Sequence, residues 1–72
     1  MKKTFDLIDL DCANCAAKME RKIARLDGVN SVTVSFFAQK LILDADDAHF
    51  DEILAAAERE IRRVDADCGL KK

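Results

Sequence analysis

Proline, tryptophan and tyrosine are absent from this chain of 72 residues, and histidine occurs only once. Half of the residues are hydrophobic, yet no apolar run approaches the roughly 20 residues that span a bilayer, so we expect no membrane insertion. The net charge of −2 and the missing tryptophan and tyrosine make nucleic-acid binding unfavourable. Because 72 residues hardly build a substrate pocket and only one histidine is present, we expect no enzymatic activity from this domain alone.

The length and the cysteine content limit how the chain is organised. Residues 1–72 are predicted to form a single domain with a thin core. The charged start, from Met1 to Asp6, lacks the apolar stretch of a signal peptide, which predicts a cytoplasmic location. Three cysteines are an odd number, which favours free thiols in a reducing compartment over a disulfide scaffold.

Hydrophobic periodicity divides the chain into six elements. Strands are predicted at 4–10, 29–37, 41–45 and 66–70, and helices at 13–26 and 46–61. Gly28 is expected to end the first helix in a left-handed conformation. The order β-α-β-β-α-β with right-handed crossovers predicts an α+β, ferredoxin-like sandwich, in which two helices cover one face of a four-stranded antiparallel sheet. The expected core consists of Phe5, Leu7, Leu10, Ala16, Met19, Ile23, Leu26, Val29, Val32, Val34, Leu41, Leu43, Ile53, Leu54, Ala57 and Ile61.

The most informative spacing is Cys12-Ala13-Asn14-Cys15, at the predicted junction of the first strand and the first helix. The N-terminus of a helix carries partial positive charge and free N–H groups, which favour a thiolate over a thiol. The spacing brings both sulfur atoms within reach of one ion, whereas a closed structural zinc site needs four ligands. An open pair of thiolates is suited to taking up and passing on a soft metal.

Two further residues are candidate ligands. Asp11 directly precedes Cys12, and its carboxylate is a harder ligand than sulfur, so together with the cysteine pair it suits Zn²⁺, Cd²⁺ or Pb²⁺ better than Cu⁺. The alternative is that Asp11 only stabilises the start of the helix electrostatically. Cys68 is either a buried core thiol or an additional metal ligand, because the final strand is expected to begin beside the loop that carries the cysteine pair.

These residues resemble a known family. The segment from Leu10 to Glu20, LDCANCAAKME, and the later Leu26-Asp27-Gly28-Val29 are similar to the heavy-metal-associated domain. Such domains are soft-metal chaperones or parts of heavy-metal-transporting P-type ATPases. The resemblance covers nearly the whole chain, and it implies that Cys12 and Cys15 hold the metal.

The lead-in to the first cysteine differs from the family's commonest sequence, Gly-Met-Thr. Here it is Asp9-Leu10-Asp11. Leu10 has a volume similar to that of methionine and is able to fill its buried position. Asp9 in place of glycine predicts a locally different loop. Asp11 is similar to the acidic residue that joins the two cysteines as a ligand in the N-terminal domains of zinc-, cadmium- and lead-exporting ATPases. The resemblance therefore implies that this chain is the N-terminal cytosolic domain of a metal pump, and that the pump itself lies in the cell membrane. Its expected partners are the metal ion, the membrane and catalytic domains of that pump, or a metal donor protein.

Three rival interpretations stay open. A free-standing metallochaperone, for Cu⁺ among other ions, would have the same fold and site. A thiol–disulfide oxidoreductase would also place Cys-x-x-Cys at a helix start, although this chain is short for that fold and lacks the expected cis-proline. A structural zinc module would leave the metal-free chain unfolded. We expect a monomer, with a metal-bridged dimer at high concentration.

Overall fold

The computed structural model describes residues 1–71. These residues form β1 (Lys2–Ile8), α1 (Ala13–Ala24), β2 (Val29–Ser35), β3 (Lys40–Ala45), a 3₁₀ helix (Asp47–His49), α2 (Phe50–Val64) and β4 (Gly69–Lys71). The strands form one antiparallel sheet in the order β2-β3-β1-β4. The predicted α+β, ferredoxin-like sandwich is confirmed.

Both helices bury the face that their spacing predicts. In α1 the buried residues Ala16, Met19 and Ile23 are three and four positions apart, so they form one stripe against the sheet. In α2 the buried stripe begins with Phe50 and ends with Ile61. The two stripes and the inner face of the sheet form one hydrophobic core, and over residues 1–71 no helix is both long and apolar enough to cross a membrane.

Most of the expected core residues are buried. The exceptions are half-exposed residues that pack against the core, namely Phe5, Leu26, Val29, Val32 and Leu54. The core prediction also omitted residues that the structure buries, namely Ala45, Phe50, Cys68 and Leu70. The short β4 explains part of this difference, because three residues give too little alternation to mark a buried face.

Several predicted boundaries were wrong, and backbone conformation gives the reason. β1 ends at Ile8 rather than at residue 10, because Asp9 has a φ of 60° and turns the chain out of the sheet. α1 ends at Ala24, so Gly28, with a φ of 89°, does not cap the helix directly. It belongs to the following turn, in which the Val29 N–H donates to the Leu26 carbonyl over 3.3 Å.

The other ends also differ from the prediction. β2 stops at Ser35 and the chain turns before β3. A 3₁₀ turn precedes α2, which begins only at Phe50. The final strand covers 69–71, so Cys68 precedes it instead of lying within it, and Ala66 is exposed.

The pairing of β1 places three loops at one end of the sheet. β1 pairs with β3 up to Asp6 opposite Lys40, and with β4 from Ile8 opposite Gly69. The loop after β1 therefore lies between the β2–β3 hairpin and the loop before β4. We call this region, formed by residues 9–15, 36–39 and 65–68, the cysteine end.

Candidate metal centre

Cys12 is the N-cap residue of α1. Its backbone is extended, and its carbonyl accepts the first helical hydrogen bond, from the Ala16 N–H over 3.1 Å. Its Sγ accepts a hydrogen bond from the backbone N–H of Cys15 over 3.2 Å. The sulfur thus takes the position that a serine or aspartate oxygen usually occupies at a helix start, and it satisfies one of the free N–H groups there.

The two thiols of the pair differ in acidity. A hydrogen bond from the Cys15 side chain is the main cause that lowers the pKa of Cys12, and the backbone N–H groups of Cys15 and Asn14 lower it further. The same hydrogen bond raises the pKa of Cys15, as do burial and the negative charge of Cys12. The Asp11 carboxylate opposes the shift at Cys12 by repelling the thiolate. Of the two thiols, Cys12 therefore loses its proton more readily and Cys15 less readily.

Both sulfurs of the pair are accessible to a metal. Cys12 and Cys15 are free and half-buried, and the neighbouring Asp11 is exposed. Within residues 1–71, no three side chains of His, Cys, Asp or Glu are grouped closely enough to hold an ion without rearrangement. The structure thus brings the two cysteines together, and the exposed Asp11 is their neighbour in the chain. Its role as a ligand stays a prediction.

Cys68 lies at the same end of the molecule but in a different environment. Only 2% of the residue is exposed, and its backbone N–H donates to the Asp65 carbonyl over 3.1 Å. Burial raises the pKa of its thiol, and the negative charges of Asp65, Asp9 and Asp11 raise it further. A buried, protonated thiol fits the interpretation of Cys68 as a core residue better than its interpretation as a ligand.

One residue that contacts the loop before Cys12 was missed by sequence reasoning. Gln39 appeared in the sequence only as part of a turn between two strands. In the structure its side-chain amide forms hydrogen bonds with both the N–H and the carbonyl of Leu10. A single sequence contains no signal for this contact, because the two residues are 29 positions apart.

The comparisons with known proteins agree with this arrangement. The family model of the heavy-metal-associated domain matches residues 4–68. The zinc/cadmium/lead-transporting P-type ATPase of Escherichia coli (strain K12) is 50% identical over 55 residues, which cover 76% of this chain and 7% of that protein. The copper chaperone CopZ of Enterococcus hirae is 31% identical over 49 residues, which cover 68% of this chain and 71% of that protein.

A solved structure extends the similarity to three dimensions. The N-terminal domain of ZntA in its Zn(II) form has a TM-score of 0.74 and 34% sequence identity, covering 97% of this chain and 88% of that one. The chain spans 6–9% of the length of the transporting ATPases that it matches. The protein therefore belongs to the heavy-metal-associated domain family, and it is similar to the N-terminal domains of zinc-, cadmium- and lead-transporting P-type ATPases.

Proposed function

We propose that this chain binds Zn²⁺ or Cd²⁺, and also Pb²⁺, through Cys12, Cys15 and Asp11. In this proposal it acts as the N-terminal metal-binding and regulatory domain of a heavy-metal-exporting P-type ATPase. The observation that carries the proposal is the Cys12 sulfur at the N-cap of α1, where the Cys15 N–H stabilises a thiolate before any metal arrives. The similarity to zinc- and cadmium-transporting ATPases supports the choice of ions.

Metal binding at this pair is an exchange of a proton for a metal ion. Both sulfurs bind the ion as thiolates, and Cys12, whose pKa is lowered, gives up its proton to solvent more readily than Cys15, whose pKa is raised. Two thiolates and the Asp11 carboxylate then surround a divalent ion with a net charge of −1. Such a site has an open fourth position, so a thiolate from a donor or acceptor protein is able to share the ion during transfer.

Charge at the cysteine end favours the approach of cations. Asp9, Asp11 and Asp67 are exposed there, and Asp65 is half-buried. A cluster of like charges raises the local concentration of oppositely charged ions. The carboxylate also favours borderline divalent ions over Cu⁺, which prefers sulfur alone. Cys68, as a further ligand, would have to lose its proton and leave the core.

The parent protein would hold this domain at the cytoplasmic face of the cell membrane. There the domain would take a metal ion from the cytosol or from a donor protein and deliver it to the membrane part of the pump, or regulate that part. The similarity to the transporting ATPases supports this arrangement.

Two charge-matched substitutions test the ligand set. Asp11→Asn removes the proposed oxygen ligand, and Asp9→Asn removes the same charge two residues away at a left-handed position that asparagine tolerates. We expect Asp11→Asn to weaken Zn²⁺ binding by about 10–100-fold, a loss common when a residue at a metal site is substituted. The affinity for Cu⁺ should stay unchanged. Affinity is measured by competition with a chromogenic chelator under reducing conditions.

The control defines what would contradict this ligand set. Asp9→Asn should retain almost all of the Zn²⁺ affinity, because it changes only the electrostatic field. Equal affinities of the two variants would show that Asp11 acts by charge alone and is no ligand. Loss of Zn²⁺ binding in Cys12→Ser is required by every version of the proposal.

The second candidate function is a free-standing metallochaperone, including one for Cu⁺. It is favoured by one observation, the similarity to the copper chaperone CopZ, which is 31% identical over 49 residues. Immunodetection of the native protein in fractionated cells distinguishes the two functions. A species near 8.0 kDa outside the membrane fraction would identify the chaperone, and a much larger species in the membrane fraction would identify the pump.

A further inference from the structure

Gln39 occupies an unusual backbone conformation at the tip of the β2–β3 hairpin. Its φ is 54°, in the left-handed region that glycine enters far more readily than other residues. A residue with a β-carbon is held in this region only when other contacts compensate for the strain. The side chain of Gln39 supplies such contacts, and all of them lie at the cysteine end.

The side-chain amide of Gln39 uses its donors and its acceptor together. Nε2 donates to the Leu10 carbonyl over 2.6 Å and to the Phe36 carbonyl over 2.7 Å, and Oε1 accepts from the Leu10 N–H over 3.2 Å. Two carbonyls and one N–H surround the amide, so only one orientation of the group satisfies all three partners. The amide thus pairs with Leu10 as a peptide group of a neighbouring strand would.

The backbone of Gln39 extends the same contact toward β1. Its carbonyl accepts a hydrogen bond from the Leu7 N–H over 2.8 Å. Gln39 therefore forms hydrogen bonds with the chain at Leu7 and again at Leu10, on either side of the end of β1. Because the ladder of backbone hydrogen bonds stops at this point, the side chain of Gln39 continues it for one more residue.

Leu10 is consequently fixed on two sides. Its side chain is in the core with 3% exposure, and both of its backbone groups are bound by Gln39. Only Asp11 separates Leu10 from Cys12. Fixing Leu10 restricts where the first sulfur lies relative to the start of α1. An ordered loop loses less conformational freedom when a ligand binds than a mobile loop does.

We propose that Gln39 is a positioning residue of the metal-binding loop. Through Leu10 it holds Cys12 beside Cys15, so that an incoming ion meets a pair of sulfurs already in place. This inference rests on the proposed function of the cysteine pair. It assigns a role in metal affinity to a hairpin residue that itself binds no metal.

Two substitutions separate the side-chain contact from the backbone turn. Gln39→Gly keeps the left-handed conformation at no steric cost and removes the amide. Gln39→Asn keeps an amide and tolerates the conformation, but it is one methylene too short to reach Leu10. Phe37→Ala is the matched control, because Phe37 lies in the same hairpin and is 96% exposed.

Three measurements are made on each variant with Cd²⁺ as the probe. The affinity for Cd²⁺ is measured by chelator competition, and the ordering of the bound site by the cadmium–thiolate charge-transfer absorption. Hydrogen exchange of the Leu10 amide in the metal-free protein reports the contact itself. We expect both Gln39 variants to exchange faster at Leu10 and to bind Cd²⁺ about tenfold more weakly, a loss typical of groups that orient metal ligands.

Other results would overturn the proposal. Unchanged Cd²⁺ affinity in both Gln39 variants, an unchanged exchange rate at Leu10, or an equal loss of affinity in Phe37→Ala would each contradict it. If Gln39→Gly does not fold, Gln39→Asn decides the question alone. Wild-type protein that binds Cd²⁺ no better than Cys12→Ser would overturn the proposed function together with this inference, whereas tight binding in every Gln39 variant would overturn only the inference.

Discussion

At the scale of single residues, the main feature of the site is the Cys12 sulfur, which caps the N-terminus of α1. The spacing Cys-x-x-Cys at a change of periodicity was enough to predict the pair at the start of a helix, and the structure brings the two residues together there. The unequal acidity of the two thiols was not predictable, because it depends on which sulfur accepts the N–H at the helix start. Cys12 is the accepting residue because its extended backbone places its sulfur at the N-cap of α1.

The unequal acidity predicts selective alkylation of the metal-free protein. Because the thiolate is the nucleophile, Cys12, with its lowered pKa, should reach full reactivity at a lower pH than an ordinary cysteine. Cys15, with its raised pKa, should require a higher pH. A short pulse of iodoacetamide at neutral pH, followed by peptide mass spectrometry, should show Cys12 modified first and the buried Cys68 last. Faster modification of Cys15 would contradict the assignment.

At the scale of single elements, the interiors of helices and strands were predicted better than their ends. The 3.6-residue spacing in α1 and α2 follows directly from burial of one face, so it is visible in the sequence. Ends depend on contacts between distant segments. Contacts of single side chains also depend on distant segments: Oε2 of Glu20 accepts a hydrogen bond from the Val34 N–H over 2.9 Å and covers part of the edge strand β2.

The turn between α1 and β2 provides a prediction for stability. Gly28 has a φ of 89°, and a β-carbon built there lies 2.7 Å from Cδ1 of the buried Ile53. We expect Gly28→Ala to lower the free energy of unfolding by about 1–3 kcal/mol, from the left-handed backbone and from displacement of Ile53. Urea denaturation of the metal-free protein measures this loss.

A second glycine provides the control for this prediction. A β-carbon at Gly69 meets no atom within 4 Å, and Gly69 shows no positive φ. Gly69→Ala should therefore leave the free energy of unfolding unchanged or slightly higher, because alanine restricts the unfolded chain. An equal loss in both variants would mean that neither the backbone conformation nor Ile53 accounts for the effect.

At the scale of the whole molecule, the order of elements and the positions of the apolar residues were sufficient to predict the fold. The folded surface of 4514 Å² is close to the area expected for a chain of this mass. The core has enough apolar side chains to form without a bound metal, since Met19, Ile23, Leu41, Leu43 and Ile61 are fully buried. The contact between Gln39 and Leu10 was hidden because it joins two loops that only the folded sheet brings together.

This core predicts that removal of metal leaves the protein folded. After treatment with a chelator and a reductant, circular dichroism should show native helix content and a cooperative thermal transition. Zn²⁺ at about 100-fold above its dissociation constant should stabilise the fold by about 2.7 kcal/mol, and Cys12→Ser should abolish that gain. A metal-free chain without a cooperative transition would instead support the structural zinc module.

The most direct test of the central claim is X-ray absorption spectroscopy of the Zn²⁺-loaded protein and of its Asp11→Ala variant. We predict two sulfur ligands near ~2.3 Å and oxygen ligands near ~2.0–2.2 Å in the wild-type protein, with one oxygen ligand lost in the variant. Three sulfur ligands would assign Cys68 to the site, and four would indicate an ion shared between two chains. An unchanged spectrum in Asp11→Ala, or failure to hold Zn²⁺ together with tight binding of Cu⁺ by two sulfurs, would contradict the claim that this domain is built for a divalent metal.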